Sequence, residues 1–386
     1  MCTLQRVKKL LKKVNPSIRT YVICLILTPG RKNCSDMART IGISKKKLYA
    51  YHAKAEIHSE YIGKLLLAYA KKTRIKGVKR ALVVDATLLL KRFAQAIEKL
   101  CYDRDGCTRH IEHGLVPLYA SVVDENVTIP LNLEFWVQKK VVGEKRYQTK
   151  TQIALALISD LKKSGLEFDF VSLDGAFPCP DSFAAFKKNR RKFIMRISKA
   201  WCITTLDGKR VQLKNCPELR LTRNVREKTI KAKLYGDVYF FTAQKRKTKG
   251  GEWETIFLVS NMNLSAKEQV AAYALRWPQE KVNRTTKQKF GATQCQMLPT
   301  AKQRAHIMAT FLAYAIIEIT NNDKEKLSVD ETVNFLRRNH FSDLVDLIES
   351  VKKSKTRHKI DLDDKKFQNH VQNSSNNAVQ FRSLYA

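Results

Sequence analysis

The sequence predicts a mixed α/β fold in which a β-sheet covered by helices lies between two helical regions. Apolar segments typical of strands alternate with amphipathic helices in the first half, and a run of shorter strands follows. Helical periodicity of apolar residues dominates on both sides of this central part. The 386 residues are enough for two to four domains with at least one sizeable core. We divide the chain into residues 1–75, 76–199, 200–262, 263–320 and 321–386.

The chain is strongly basic, with 72 Lys and Arg against 36 Asp and Glu, a net charge of +36. Because this charge exceeds what solubility requires, it indicates a polyanionic partner, either nucleic acid or an anionic membrane surface. The basic residues are spread over the whole length, which favours nucleic acid over a membrane-tethering basic tail. No apolar run approaches the roughly 18 residues of a membrane span.

Two further features bear on the cellular compartment. Apolar residues from Leu4 to Val14 have helical spacing, and Pro16 separates them from the next apolar run, so we expect two short helices and no export signal. Nine cysteines without a regular framework indicate free thiols in a reducing compartment, the cytoplasm. A zinc site is the less favoured interpretation of one cluster, whose spacing matches no standard pattern: Cys101, Cys107, His110 and His113.

Residues 34–53 predict two helices joined by a tight turn. Small Ala38 allows the helices to approach closely, Gly42 supplies the turn, and Ser44 is a good N-cap. The segment resembles the helix-turn-helix of DNA-binding proteins, although an ordinary helical hairpin is the alternative. The second helix would then present a basic and aromatic face to a major groove: Lys45, Lys46, Lys47, Tyr49 and His52.

Two acidic residues lie on or beside apolar strands of the central region. Asp85 interrupts the strand at 81–90, and Asp174 follows the strand at 168–173. The order of elements resembles the ribonuclease H-like fold, in which the first and fourth strands are adjacent, so these acids would be neighbours. The remaining expected elements are strands at 117–124, 127–136 and 192–197, and helices at 149–163 and 181–189.

A β-rich insertion is expected at residues 200–262. Asp207-Gly208 favours a two-residue hairpin turn between strands at 203–206 and 210–213. Strands at 230–235, 237–243 and 253–260 follow, with a basic tip from Gln244 to Gly251. Beyond the insertion we expect a helix capped by Ser265, a buried helix at 301–320, and one or two helices at 330–353. The polar tail from about residue 361 is predicted to be disordered.

The helix after the insertion carries an unusual polar pattern. Tyr273, Arg276, Glu280 and Lys287 stand at offsets that place them on one face of a single helix. A carboxylate between two cations and a phenol suits phosphates and a metal ion. The alternative is a solvated face in which Glu280 pairs with Arg276 and Arg284. Pro278 is expected to kink this helix or restart it near Trp277.

Asp85, Asp174 and Glu280 together predict a magnesium site. A carboxylate on a buried strand is costly unless it is paired or binds a metal. Three convergent carboxylates match the oxygen ligands of Mg²⁺. Two such ions can activate a water or sugar hydroxyl and stabilise the leaving oxygen in an in-line phosphoryl displacement.

These residues resemble those of DDE transposases of the bacterial insertion-sequence type, specifically the type-four family with the signature Tyr-x2-Arg-x3-Glu-x6-Lys. Tyr273, Arg276, Glu280 and Lys287 match every spacing. Val84-Asp85 and Leu173-Asp174-Gly resemble the segments around the first two acids. The family also carries a β-rich insertion before the last acid, and the resemblance spans about residues 30–320.

The resemblance implies that Asp85, Asp174 and Glu280 hold two Mg²⁺ ions, for which Mn²⁺ can substitute. Tyr273, Arg276 and Lys287 would grip phosphates near the transposon end. The enzyme would nick DNA at terminal inverted repeats. The freed 3′-hydroxyl would attack the opposite strand, commonly giving a hairpin, and then target DNA. Trp253, or else Trp201, would stack on a flipped base, with packing of the hairpin as the alternative.

The resemblance also implies a homodimer that bridges both element ends in a synaptic complex, and a cytoplasmic protein associated with the bacterial nucleoid. Two alternatives remain. A ribonuclease H-like nuclease would use the same carboxylates without joining strands. A DNA-binding regulator derived from a transposase would be expected to lack at least one acid, and none of the three is missing.

Overall fold

A computed structural model describes residues 3–106, 108–248, 250–321 and 327–354. The N-terminal region is helical, and Pro16 separates its first two helices as predicted. Residues Tyr21 to Leu27 of the second helix are buried without interruption. No helix of the described residues is long and apolar enough to cross a membrane. The five helices are α1 (Thr3–Lys12), α2 (Pro16–Leu27), α3 (Cys34–Ile41), α4 (Lys45–Ala53) and α5 (Ala55–Lys72).

The predicted turn between α3 and α4 is confirmed in its local geometry. Gly42 ends α3 with φ 73°, a left-handed conformation that a residue without a Cβ adopts at little cost. The Ser44 side chain accepts a hydrogen bond from the Lys46 amide and caps α4. Met37 of α3 and Leu48 of α4 are fully buried, so the apolar faces of the two helices share one core.

A mixed sheet forms the centre of the molecule. The long strand β4 (Ile111–Val123) pairs antiparallel with β1 (Ala81–Ala86), and β1 pairs in parallel with β6 (Phe170–Leu173), which pairs in parallel with β7 (Phe193–Ile197). The described residues contain these strands: β1 (Ala81–Ala86), β2 (Leu89–Leu90), β3 (Cys101–Arg104), β4 (Ile111–Val123), β5 (Thr128–Trp136), β6 (Phe170–Leu173), β7 (Phe193–Ile197), β8 (Cys202–Thr204), β9 (Arg210–Gln212), β10 (Glu227–Leu234), β11 (Asp237–Lys247) and β12 (Trp253–Ser260).

The strands of residues 200–262 continue this same sheet. β12 pairs antiparallel with β7, and β11, β10, β8 and β9 follow in that order. The predicted two-residue turn between β8 and β9 is wrong. The Thr205 amide donates to the Lys209 carbonyl over 2.9 Å, so the loop has three residues and Gly208 takes φ 89°.

The remaining helices cover the sheet and close the C-terminal side. The largest, α11 (Thr300–Asn321), is buried along most of its length and packs on α2, α5 and β5. Residues 330–353 form two helices, and the polar tail lies outside the described residues. These helices are α6 (Lys139–Val142), α7 (Lys150–Lys163), α8 (Pro180–Lys188), α9 (Ala266–Ala274), α10 (Trp277–Gln288), α11 (Thr300–Asn321), α12 (Val329–Asn339) and α13 (Phe341–Ser354).

Candidate active site at the sheet edge

Asp85 and Asp174 lie side by side at the carboxyl ends of two adjacent parallel strands. In the register of β1 and β6, Val84 is opposite Leu173, and each acid is the next residue of its chain segment. Asp85 accepts a hydrogen bond from the Ala86 amide over 2.8 Å, and Asp174 accepts one from the Gly175 amide over 2.6 Å. Both carboxylates are therefore held beside the strand ends. Their adjacency was expected from the ribonuclease H-like strand order, but the strand expected at 81–90 ends at Ala86, so Asp85 lies near its end and not in its middle.

The prediction of a single helix through residues 273–287 is wrong, whereas the predicted restart near Trp277 is confirmed. α9 ends at Ala274, and α10 begins at Trp277 with Pro278 in its first turn. Pro278 has no amide hydrogen, and its ring would clash with the carbonyl four residues earlier if α9 continued. Tyr273 consequently lies in an apolar cluster with only 5% of its surface exposed, and not on an open polar face.

Arg276 connects the strand and helix parts of the site. One guanidinium nitrogen lies 2.8 Å from the Glu280 carboxylate, and another lies 3.4 Å from the Asp85 carboxylate. The guanidinium also lies 5.8 Å from the centre of the Tyr273 ring. Only 11% of the Arg276 side chain is exposed, so its charge is balanced mainly by these neighbours.

Asp85 lies within the electrostatic influence of Asp174, Glu280 and Arg276. Burial raises the pKa of Asp85 to about 6, while Arg276 opposes this shift and the charges of Asp174 and Glu280 add to it. Burial also raises the pKa of Tyr273, whose neighbours include Asp174 and Arg276. Burial alone would lower the pKa of Arg276. The surrounding phenol and carboxylates outweigh the effect of burial, so the pKa of Arg276 is raised.

The donor chemistry of this cluster fits a hard divalent cation. Carboxylate oxygens are the ligands that Mg²⁺ and Mn²⁺ prefer, and they are a poor match for a soft metal. Among the described residues, however, no three His, Cys, Asp or Glu side chains lie close enough to form a ready-made metal site. In this arrangement Arg276 bridges Asp85 and Glu280. A cation would therefore compete with Arg276 for carboxylate oxygens.

The less favoured zinc site was expected at Cys101, Cys107, His110 and His113. The Cys101 thiol is buried and donates to the Trp136 carbonyl over 3.8 Å. The His113 ring lies 4.7 Å from the ring of Tyr102. Cys107 is outside the described residues. Among the residues that are described, nothing here forms a set of metal ligands.

Sequence reasoning missed Tyr119, which ties the sheet to the helix that carries Glu280. Tyr119 is the cross-strand partner of Asp85 and is 1% exposed. Its hydroxyl donates to the Asn283 side chain over 2.8 Å and lies 3.3 Å from the Gln279 carbonyl. Gln279 and Asn283 flank Glu280 and are four residues apart, so they lie on one face of α10. That spacing was a usable signal, but only the structure supplies their partner on β4.

Trp277 was expected only as the point where the helix restarts, and its place beside the acidic cluster was not predicted from the sequence. Although it lies directly beside Arg276, 47% of its surface is exposed. Its ring lies 5.9 Å from the Arg246 guanidinium and 5.8 Å from that of Arg276. Since Arg246 belongs to β11, this ring joins the strands of residues 200–262 to the acidic cluster.

The predicted DNA-contacting residues of α4 divide into exposed and buried ones. Lys45 and Lys46 are exposed, Lys47 is half-buried, and Tyr49 is 48% exposed. The prediction for His52 is wrong. His52 is 2% exposed, and its Nε2 lies 3.0 Å from the Tyr21 hydroxyl. It follows Leu48 by one helical turn and therefore shares the inward face of α4.

Among the other predicted residues, Trp253 is surrounded by cations. It is 48% exposed at the start of β12, and the charged groups of Arg226, Lys245 and Lys247 lie 5.5 to 6.0 Å from its ring. Trp201 is half-buried and lies 6.1 Å from the rings of both Phe183 and Tyr235. Trp253 is thus more accessible than Trp201. The last predicted residue, Lys287, is half-buried near the end of α10.

Two protein-family models match the chain. The Transposase DDE domain matches residues 132–316, a range that includes Asp174 and Glu280. The DDE superfamily endonuclease model matches residues 10–200, a range that includes Asp85 and Asp174. Each match spans just under half of the 386 residues. No curated protein matches the chain. The two matches support a DDE-type transposase or endonuclease, an enzyme class that acts on DNA and generally uses divalent metal ions.

Proposed function

We propose that this protein is the transposase of an insertion sequence, which binds the ends of the element and cuts and joins DNA strands. The observation that carries this proposal is the placement of Asp85 and Asp174 at adjacent strand ends, with Glu280 linked to Asp85 through Arg276. The spacing of Tyr273, Arg276, Glu280 and Lys287 supports the type-four insertion-sequence family. The basic surface supports DNA as the partner.

Each residue of the site has a distinct role in this mechanism. Asp85, Asp174 and Glu280 would hold Mg²⁺, which when bound activates an attacking water or 3′-hydroxyl and neutralises the leaving oxygen. Arg276 would shift part of its hydrogen bonding from carboxylates to the scissile phosphate, for which its planar fork is suited. The buried Tyr273 ring would limit the positions that Arg276 can take. Lys287 would contribute a point charge to a nearby phosphate.

The cationic surfaces would position the DNA. α4 would place Lys45, Lys46 and Tyr49 against a major groove of the terminal inverted repeat. Trp253, among its three cations, would stack on an unpaired base while those cations meet phosphates. A homodimer would bring two ends together, so that cutting and joining occur in one complex.

A nuclease that cuts without joining is the second candidate, because one of the two matching families is described as an endonuclease. A transposase yields a joined DNA product that a nuclease does not yield. A duplex that ends in the inverted repeat beside the gene, with its 3′-hydroxyl already free, is incubated with purified protein, plasmid and Mg²⁺. A transposase joins this end to the plasmid. Cleavage is tested on a duplex whose end is still uncut. Cleavage without any joining would instead indicate the nuclease, and DNA binding without either reaction would indicate the non-catalytic regulator.

A further inference from the structure

A groove runs beside α3 and α4, on a part of the protein that the proposed chemistry does not use. Its main cavity has a volume of 690 Å³ and lies between Arg31, the loop 91–97 and the segment 293–298. A smaller cavity of 220 Å³ adjoins it and reaches Tyr49 of α4. The two cavities share Asn33, Cys295 and Gln296 as walls. The main cavity therefore lies beside the smaller one, which reaches the exposed Tyr49 of α4.

The loop that forms one side of the groove is fastened at both ends. The Lys91 ammonium donates to the carbonyls of Thr293 and Cys295 over 2.7 and 2.5 Å, and Lys91 is only 8% exposed. At the other end, the Glu98 amide donates to the Leu298 carbonyl over 3.1 Å. These contacts join the loop to the segment that follows α10, so the groove is preformed.

Phe93 projects from this fastened loop with 97% of its surface exposed. A fully exposed phenylalanine forgoes the stabilisation that burial of its ring would give. It is flanked by Arg92 in sequence and faces a groove that Arg31 also lines. Apolar side chains held among cations in this way are used to press against base steps of DNA.

The chemistry of the walls favours nucleic acid over protein. Arg31 and Arg92 supply positive charge, although Arg92 also pairs with Glu112 over 2.8 Å. The side-chain amides of Asn33, Gln95 and Gln296 can meet base edges or sugars. None of the described residues that line the main cavity is acidic. DNA supplies phosphates along the whole duplex, whereas a second copy of a chain with a net charge of +36 could meet such walls only through a local acidic patch.

We propose that this groove, defined by Arg31, Asn33, the loop 91–97 and the segment 293–298, is a second DNA-binding surface. It holds the duplex next to the stretch that α4 contacts, with Arg31 and Arg92 on phosphates and Phe93 against bases. The proposal rests on the proposed function, because it requires α4 to lie on the element end.

The test uses a fluorescein-labelled duplex from the DNA flanking the gene, with the inverted repeat at one end. Phe93→Ala is expected to weaken binding about tenfold, because ring–base contacts contribute on that scale. Arg31→Ala is expected to lower the slope of log affinity against log salt by about 1. Ile57→Ala is the matched control: Ile57 is 54% exposed on α5, lines neither cavity, and should leave affinity unchanged. Thermal melting of each variant checks that folding is unaffected.

A double variant, Lys45→Ala with Lys46→Ala, separates this proposal from the proposed function. Weaker binding by all three variants supports both. Weaker binding by the α4 variant alone overturns the groove and leaves the α4 contact standing. If none of the three binds more weakly, the groove and the α4 contact both fail. Phe93→Ala could instead change the oligomeric state of the protein in solution and leave DNA affinity unchanged. That result would show that a protein partner occupies the groove, and it would overturn the proposal.

Discussion

The acidic edge of the sheet and the cationic outer surfaces handle charge in opposite ways. At the edge, Asp85 and Arg276 are 16% and 11% exposed and neutralise each other within a few ångströms. On α4, Lys45 and Lys46 are exposed. Buried charges interact strongly because water does not screen them, whereas surface charges act weakly and additively. One substitution should therefore abolish chemistry at the edge, but only weaken binding at the surface.

The largest effect is expected from Asp85→Asn. Removing this charge should slow strand cleavage by more than about 1000-fold, equivalent to about 4 kcal/mol in the activation barrier. DNA affinity should stay within about twofold of the unchanged protein, since Asp85 is not on a cationic surface. Cleavage is followed on denaturing gels and affinity by fluorescence anisotropy. Asp237→Asn is the control, because Asp237 is a partly exposed acid whose carboxylate pairs with Lys187. Cleavage retained by Asp85→Asn would remove this residue from the active site.

Arg276→Ala should reduce stability as well as activity. It leaves the mostly buried Asp85 carboxylate without its cation, which costs about 2–4 kcal/mol in the free energy of unfolding at pH 8. The folded-state pKa of Asp85 is already raised to about 6, and loss of Arg276 raises it further. A raised pKa favours the protonated acid, so stability falls as the pH rises through that value and the variant's deficit shrinks near pH 5.

Urea unfolding at pH 5 and pH 8 measures this difference directly. Arg276→Lys keeps a positive charge at the position and should restore most of the stability, but it should not restore the activity that depends on a planar fork. A deficit for Arg276→Ala that is equal at both pH values would show that the salt bridge to Asp85 is not its origin.

Tyr119→Phe tests whether the contact between β4 and α10 positions Glu280. The substitution removes a buried hydroxyl and leaves Asn283 without its partner, which costs about 1–2 kcal/mol. We expect about tenfold slower cleavage and a higher Mg²⁺ concentration at half-maximal rate. Tyr314→Phe is the control, since Tyr314 is also buried but lies on α11. An unchanged Mg²⁺ dependence would mean that Tyr119 contributes only to packing.

The smallest effect is expected at the surface, from Trp253→Ala. Loss of one stacking ring should weaken binding to an element end with an unpaired base by about fivefold, while binding to a fully paired duplex changes less. Trp253→Phe should recover most of the affinity. Equal losses on both duplexes would indicate that Trp253 supports the hairpin and does not stack on a base.

Local features of this protein could be predicted from sequence, whereas contacts between distant elements could not. Gly42 and Ser44 determine the turn and the cap within a few residues, so α3 and α4 appear as expected. The adjacency of Asp85 and Asp174 came from a resemblance of strand order. His52 was misjudged because its partner, Tyr21, is on another helix.

The Glu280 region shows the same limit. The offsets of Tyr273, Arg276 and Glu280 suggested one helical face, but Pro278 divides the segment into two helices. Arg276 then lies at the junction, where it reaches both Asp85 and Glu280, and Tyr273 turns into the core. A sequence pattern gives the spacing of residues along a helix, but only the packed structure determines which neighbouring residues each side chain contacts.

The most direct test of the central claim is strand transfer from a pre-cut element end into plasmid DNA. The unchanged protein is compared with Asp85→Asn, Asp174→Asn and Glu280→Gln in the same Mg²⁺ buffer. We predict that the unchanged protein joins the end, and that each variant binds the end as tightly but yields no joined product. Joining by any of the three variants, at a rate near that of the unchanged protein, would contradict a catalytic site built from these three carboxylates.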